Sequence, residues 1–201
     1  RPTNLLTSVA HPGGDHIPIC EGLPPERTTF IRVGTMEARK MPVEILEAFI
    51  EAIDQGLQAD LVYVGTPSAS DNHINTRIRA AIDAGYPIRW VQGATDDQVY
   101  ELIQHSSAFL SFGVEGYGIP VLEAIRLGTP VLYAGEQPAA SVMNGRGAQE
   151  VDIDMGLDAA FSVPLEGVRA GLDPHRIPTW SDFTVTVAKC SAPRPGDSHD
   201  R

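Results

Sequence analysis

From Thr28 onward, short β-branched apolar runs alternate with amphipathic segments, the pattern of a parallel sheet wrapped by helices. Five runs predict strands at residues 29–33, 61–64, 88–92, 108–112 and 130–133. Between the first two, Val43, Leu46, Phe49, Ile50 and Ile53 recur at helical spacing, while Glu44, Glu47, Glu51 and Asp54 hold the opposite face. That segment predicts a helix laid on the sheet. Ile74, Ile78, Ala81 and Ile82 repeat the pattern before the third strand, and Val99, Leu102 and Ile103 repeat it before the fourth. Weaker signals place helices at 157–170 and 180–188. Residues 1–27 contain His11-Pro12-Gly13-Gly14 and Pro24-Pro25 without a period and read as a linker. Residues 190–201, rich in Pro, Ser, Gly and charge, read as a disordered tail.

The expected architecture is one α/β domain over 28–189, a Rossmann-like parallel sheet with helices on both faces. A glycine follows each predicted strand within two residues: Gly34, Gly65, Gly93, Gly113 and Gly135. In an open parallel sheet the carboxyl edge is where ligands bind, and glycine lets backbone amides approach them. One such glycine marks only a turn, whereas five in register favour a ligand edge.

Composition narrows the partners. With 26 acidic against 15 basic residues and a net charge of −11, the overall field repels nucleic acid, so any phosphate site is local. No apolar run approaches the roughly 18 residues of a membrane span, and no basic stretch followed by an apolar run marks a secretory signal. The start at Arg1 reads as a cut within a longer protein. Cys20 and Cys190 match neither a zinc spacing nor a disulfide framework, so a reducing, cytoplasmic setting is expected. The histidines at 11, 16, 73, 105, 175 and 199 form no ligand spacing; structural or surface roles are expected for them, and no metal site.

The chemistry concentrates in Gly113-Val114-Glu115-Gly116-Tyr117-Gly118-Ile119-Pro120-Val121-Leu122-Glu123-Ala124. Pro120 suits the first helical position, where no amide hydrogen is needed, and Gly116 and Gly118 leave the neighbouring amides open. Free amides at a helix start form a site for a diphosphate. Glu115 in the loop and Glu123 one turn into the helix would flank it, as carboxylates that accept hydrogen bonds from sugar hydroxyls. A lone helix glutamate is ordinarily solvated; the whole constellation is more specific than its parts. Its G-x-x-G-x-G order is not the dinucleotide fingerprint. A second stretch, Gly34-Thr35-Met36-Glu37-Ala38-Arg39-Lys40-Met41-Pro42, puts two adjacent cations at the same edge, where Arg39 and Lys40 could stabilise a leaving diphosphate without a metal.

These stretches, with Gly93 and Asp96-Asp97-Gln98-Val99 and with Gly128-Thr129-Pro130-Val131, resemble the C-terminal domain of the family four, retaining glycosyltransferases of GT-B architecture. The resemblance implies a nucleoside diphosphate sugar donor, UDP- or GDP-linked, and no further cofactor. By it, Glu115 lies near the sugar hydroxyls, Glu123 on the ribose, Arg39 and Lys40 on the phosphates. Gly34 and the amides of Gly116, Tyr117, Gly118 and Ile119 line the diphosphate. It also implies an N-terminal acceptor-binding domain outside these residues, through which alone peripheral membrane contact would come, and an isolated chain without transferase activity. Two departures stand out: Ser111-Phe112 where many members have Pro-Ser, and Ser141 in place of a common glutamate. Trp180 near Phe183 resembles the family's closing helix, with a packing role. Other readings are a non-catalytic nucleotide-binding module, and half of a sugar-nucleotide epimerase.

Overall fold

Strand order reverses once across the sheet, and that reversal places the site. A computed structural model describes residues 10–23, 25–153 and 156–191. In it six parallel strands run in the order β3-β2-β1-β4-β5-β6. These are β1 (Thr28–Val33), β2 (Ala59–Val64), β3 (Ile88–Val91), β4 (Ala108–Val114), β5 (Val131–Glu136) and β6 (Ala148–Glu150). The helices are α1 (Pro42–Asp54), α2 (Asn72–Asp83), α3 (Asp96–Gln104), α4 (Ile119–Arg126), α5 (Pro138–Val142), α6 (Leu165–Ala170) and α7 (Trp180–Ser191). None of the described helices is long and apolar enough to cross a membrane.

Alternate strand residues feed two cores, because successive side chains of a strand point to opposite faces. Phe30, Leu61, Tyr63, Leu110 and Phe112 join Ile45, Leu46 and Phe49 of α1 on one face. Ile31, Val62, Phe109, Val131 and Tyr133 meet Ile103 of α3 and Leu122 and Ile125 of α4 on the other. Phe161, from a short 3-10 helix at Leu157–Ser162, closes the first core edge-on against Phe30 and Phe49, at ring distances of 5.0 and 5.3 Å. The expected Rossmann-like sheet with helices on both faces is therefore the fold observed.

The differences from expectation are local. Strands β4 and β5 continue to Val114 and Glu136, so Gly113 and Gly135 pair within the sheet instead of following it. Strand β6 was not predicted; of its three residues only Ala148 is buried, too little to make a period. The segment 157–170 is two elements, since Pro164 separates the 3-10 helix from α6, as its missing N–H and fixed φ require. Residues 10–23 are not an extended free segment: Cys20 N–H donates to the Arg126 carbonyl at 2.9 Å and Leu23 N–H to that of Gln104 at 3.1 Å. The remainder of the expected linker, 1–9 and 24, and the expected tail from 192 onward lie outside the described residues.

At the reversal, between β1 and β4, Gly113 has φ 85°, and a Cβ there would overlap the Arg39 carbonyl. Gly113→Ala is expected to cost about 2–4 kcal/mol, combining left-handed strain with a forced backbone shift. Urea denaturation would measure it, and a loss below roughly 0.5 kcal/mol, within the scatter of innocuous substitutions, would show that the two loops are not packed as described.

Candidate functional site

The loop after β1 is organised from beneath by a buried cation. Arg32 is 3% exposed, and its guanidinium donates to the carbonyls of Gly34 at 2.8 Å and Thr35 at 3.1 Å and meets Met36 Sδ at 3.4 Å. Burial lowers its pKa to about 10, so it stays charged at neutral pH. In a trans peptide the N–H points opposite to the C=O. Holding the Gly34 oxygen inward therefore turns the Thr35 N–H outward, where it has no acceptor among the described residues, while the Gly34 and Met36 N–H groups bond to Val64 and Thr66. A 3-10 turn, Ala38–Lys40, then carries Arg39 and Lys40 before Met41, at φ 52°, and Pro42 start α1.

The loop after β4 supplies the amides. Gly118, left-handed at φ 97°, caps α4, with Ile119 first and Pro120 second in the helix; proline thus stands one position later than expected, still within the first turn. The N–H groups of Tyr117, Gly118 and Ile119 have no acceptor among the described residues. Gly116 N–H is instead bonded to Oε1 of Glu115 at 3.0 Å. The Tyr117 hydroxyl is buried without a partner among the described residues, and burial pushes its pKa up to about 12.

Lys40 Nζ lies 2.6 Å from Glu115 Oε2, and Arg39 Nη1 lies 3.6 Å from Oε1. Arg39 also donates to Glu37 and to the Val114 carbonyl, each at 2.7 Å, and the Lys40 ammonium hangs over Gly34. Partial burial of Glu115 works to raise its pKa; the hydrogen bonds from Lys40 and from Gly116 N–H, with the charges of Lys40 and Arg39, outweigh it and hold the carboxyl below its usual range. Gly34, Arg39, Lys40, Glu115 and the 116–119 backbone thus converge at the β1/β4 reversal, the position where ligands bind in open α/β sheets.

Glu123 stands apart from that cluster. Its side chain is 14% exposed, and its Oε1 lies 2.8 Å from Nε2 of His16. The pair lines a cleft of about 490 Å³ with Val33, Tyr100, Ile119 and Trp180. His16, Arg32 and the free Thr35 N–H were missed in sequence. Arg32 had a signal, a charged residue amid a strand apolar on both faces; His16 had none, because its partner is 107 residues away. Asp96 and Asp97 do not cap α3: Thr95 does, in a reciprocal capping box with Gln98 that leaves the two aspartates in the first turn. A larger cleft, about 640 Å³, opens elsewhere, between β3 and α3 beside Gly93 and Gln98.

The family model described as "Glycosyl transferases group 1" matches residues 17–149, from the segment carrying His16's neighbour Ile17 through β6. The chain belongs to the glycosyl transferases group 1. Within that setting it is 34% identical, over 106 residues, to the Escherichia coli serotype-specific mannosyltransferase WbdA, a match covering 52% of this chain and 13% of that protein. Its fold matches an alpha,alpha-trehalose-phosphate synthase (UDP-forming) from Burkholderia vietnamiensis at TM-score 0.62 and 13% identity, over 82% of this chain and 42% of the other. The lipopolysaccharide outer core galactosyltransferase WaaB matches at 0.62 and 14% identity, over 87% and 53%. WaaG, a glycosyltransferase involved in lipopolysaccharide biosynthesis, matches at 0.57 and 20%, over 82% and 46%. The chain spans about half the length of these solved structures and a much smaller part of the mannosyltransferase. The shared fold is the one that the resemblance to a GT-B C-terminal domain implies.

A depressed carboxyl pKa gives a pH test of the Glu115 cluster. Folding favours the ionised form, so the stabilisation is complete above the ordinary carboxylate range and is lost as pH falls through the lower folded value. Glu115→Gln is therefore expected to lose less stability than the parent on acidification from pH 7 to about 3, by a modest margin because the pair is part-exposed. Urea midpoints at both pH values would show it; parallel profiles would contradict the pairing.

Proposed function

We propose that this chain is the donor-binding domain of a retaining glycosyltransferase that uses a nucleoside diphosphate sugar, UDP- or GDP-linked, with the acceptor held by a domain outside these residues. The observation that carries the reading is the convergence of Lys40, Arg39 and three acceptorless amides, Tyr117 to Ile119, at the strand-order reversal. Cations and oriented N–H groups aimed at one spot stabilise charge that develops on a departing diphosphate. Glu115 holds Lys40 and Arg39 until the phosphates take them, and is then released toward the sugar hydroxyls. Glu123, one turn into α4, receives the ribose. The likeness to a mannosyltransferase makes a mannosyl donor the first to test.

Retention follows, in this reading, from reaction on one face of the sugar, the leaving phosphate helping to deprotonate the acceptor. The protein contributes charge stabilisation and exclusion of water when the acceptor domain closes. Arg39 and Lys40 take the part that a metal plays in other transferases. A cytoplasmic setting accords with this chemistry, and any membrane contact would come through the acceptor domain.

Isothermal titration of the chain with GDP and UDP, in the presence of chelator, tests the reading. Weak binding of one of them is expected, because half of the ligand's enclosure is absent. Lys40→Ala should weaken it by about 1.5–3 kcal/mol, roughly 10- to 150-fold. No binding at millimolar concentration by the folded chain, or unchanged affinity in Lys40→Ala, would remove the phosphate site.

A further inference from the structure

We propose that His16 is a positioning residue for ribose recognition: it fixes one oxygen of Glu123 so that the other is presented to the 2′- and 3′-hydroxyls of the donor nucleotide. The inference rests on the proposed donor site and adds to it a residue from outside the Rossmann-like sheet.

Three observations carry it. First, His16 is delivered to Glu123 by a backbone that is tied down on both sides. Asp15 Oδ1 accepts from Trp180 N–H at 2.7 Å, and Gly14 N–H donates to the Pro178 carbonyl at 3.1 Å. On the other side Arg126 Nε donates to the Ile17 carbonyl at 2.9 Å, and the Ile17 side chain is buried. The residues before and after His16 are thereby anchored to α7 and α4, the helix that also bears Glu123. Second, the contact is a short one between His16 Nε2 and Glu123 Oε1, 2.8 Å. A carboxylate only accepts, so Nε2 carries the proton and donates. Glu123 Oε2 is left without a partner among the described residues. Third, the cleft in which the pair sits also contains Ile119 and Trp180. Ile119 ends the amide run and begins α4, so a sugar joined to a diphosphate bound at those amides would reach the same space.

The physical role is preorganisation. A free glutamate side chain must give up rotamer freedom when it grips a ligand, a cost borne at the moment of binding. Asp96 and Tyr100 line the same cleft; Asp96 adds a like charge, which does nothing to hold the carboxylate in place. A histidine hydrogen bond aligns the carboxylate plane before the nucleotide arrives, leaving Oε2 in a set direction for a hydroxyl donor.

The test compares whichever of GDP and UDP binds with its 2′,3′-dideoxy counterpart, by isothermal titration, on the chain and on His16→Ala, His16→Gln and Glu123→Gln. The unmodified chain should favour the ribose form by about tenfold or more, the worth of a charge-assisted hydrogen bond. His16→Ala should bring that preference most of the way to parity while leaving the dideoxy affinity nearly unchanged. His16→Gln, whose amide can donate in the same direction, should recover much of the preference, and Glu123→Gln should lose it. If His16→Ala keeps the full preference, or weakens both ligands equally, the inference is overturned while the donor site stands. If the unmodified chain shows no preference between the two ligands, the ribose role of Glu123 fails and this inference with it.

Discussion

Where a side chain on Gly113 would stand, the carbonyl of Arg39 already is. That contact brings the loop after β1 against the end of β4, at the place where the strand order turns back on itself. Almost everything assigned to the site depends on it. Arg39 reaches the Val114 carbonyl from there, and Lys40 reaches Glu115, in the loop that leads to the α4 start. A bulkier residue at 113 would part the loops, and the cations and amides would address different points. Arg32 supports the arrangement from within the sheet, trading the cost of a buried charge for a fixed orientation of the Gly34 and Thr35 peptides.

The electrostatics are local. A chain of net charge −11 has a long-range field that would repel a nucleotide, so attraction has to come from charges within about a Debye length of the site, roughly 8–10 Å, such as Lys40, Arg39 and Arg32. Glu115 and Glu37 balance the exposed Arg39 and the half-buried Lys40. Such an arrangement keeps two cations from splaying into solvent, and an incoming diphosphate competes with a single carboxylate for charges that are already in place. In the proposed donor-binding reading, that competition limits the affinity such a site can reach.

Much of the fold was legible in sequence because parallel strands buried on both faces read as continuous apolar runs, and because α1, α2 and α3 carry clean helical periods. Strand β6 and α5 were not legible: three and five residues, respectively, cannot show a period. The grouping of Gly34, Arg39, Lys40 and Glu115 could be anticipated, since each lies on a loop leaving the same sheet edge. The partner of Glu123 could not, because the segment bearing His16 has no repeating pattern and finds its place through backbone hydrogen bonds to α4 and the Pro178–Trp180 stretch. Arg32 belongs between the two cases: its charge was visible, whereas the carbonyls it holds depend on how the chain turns at Gly34.

The central claim is that the β1 and β4 loops together form one diphosphate site. Following the backbone amide resonances of the ¹⁵N-labelled chain during titration with GDP or UDP, against the matching nucleoside without phosphates, addresses it most directly. The account predicts saturable shifts at Thr35, Tyr117, Gly118 and Ile119 with the diphosphate and little change at these amides with the nucleoside. Shifts confined to the larger cleft between β3 and α3, with Thr35 and the 117–119 amides unmoved, would contradict it.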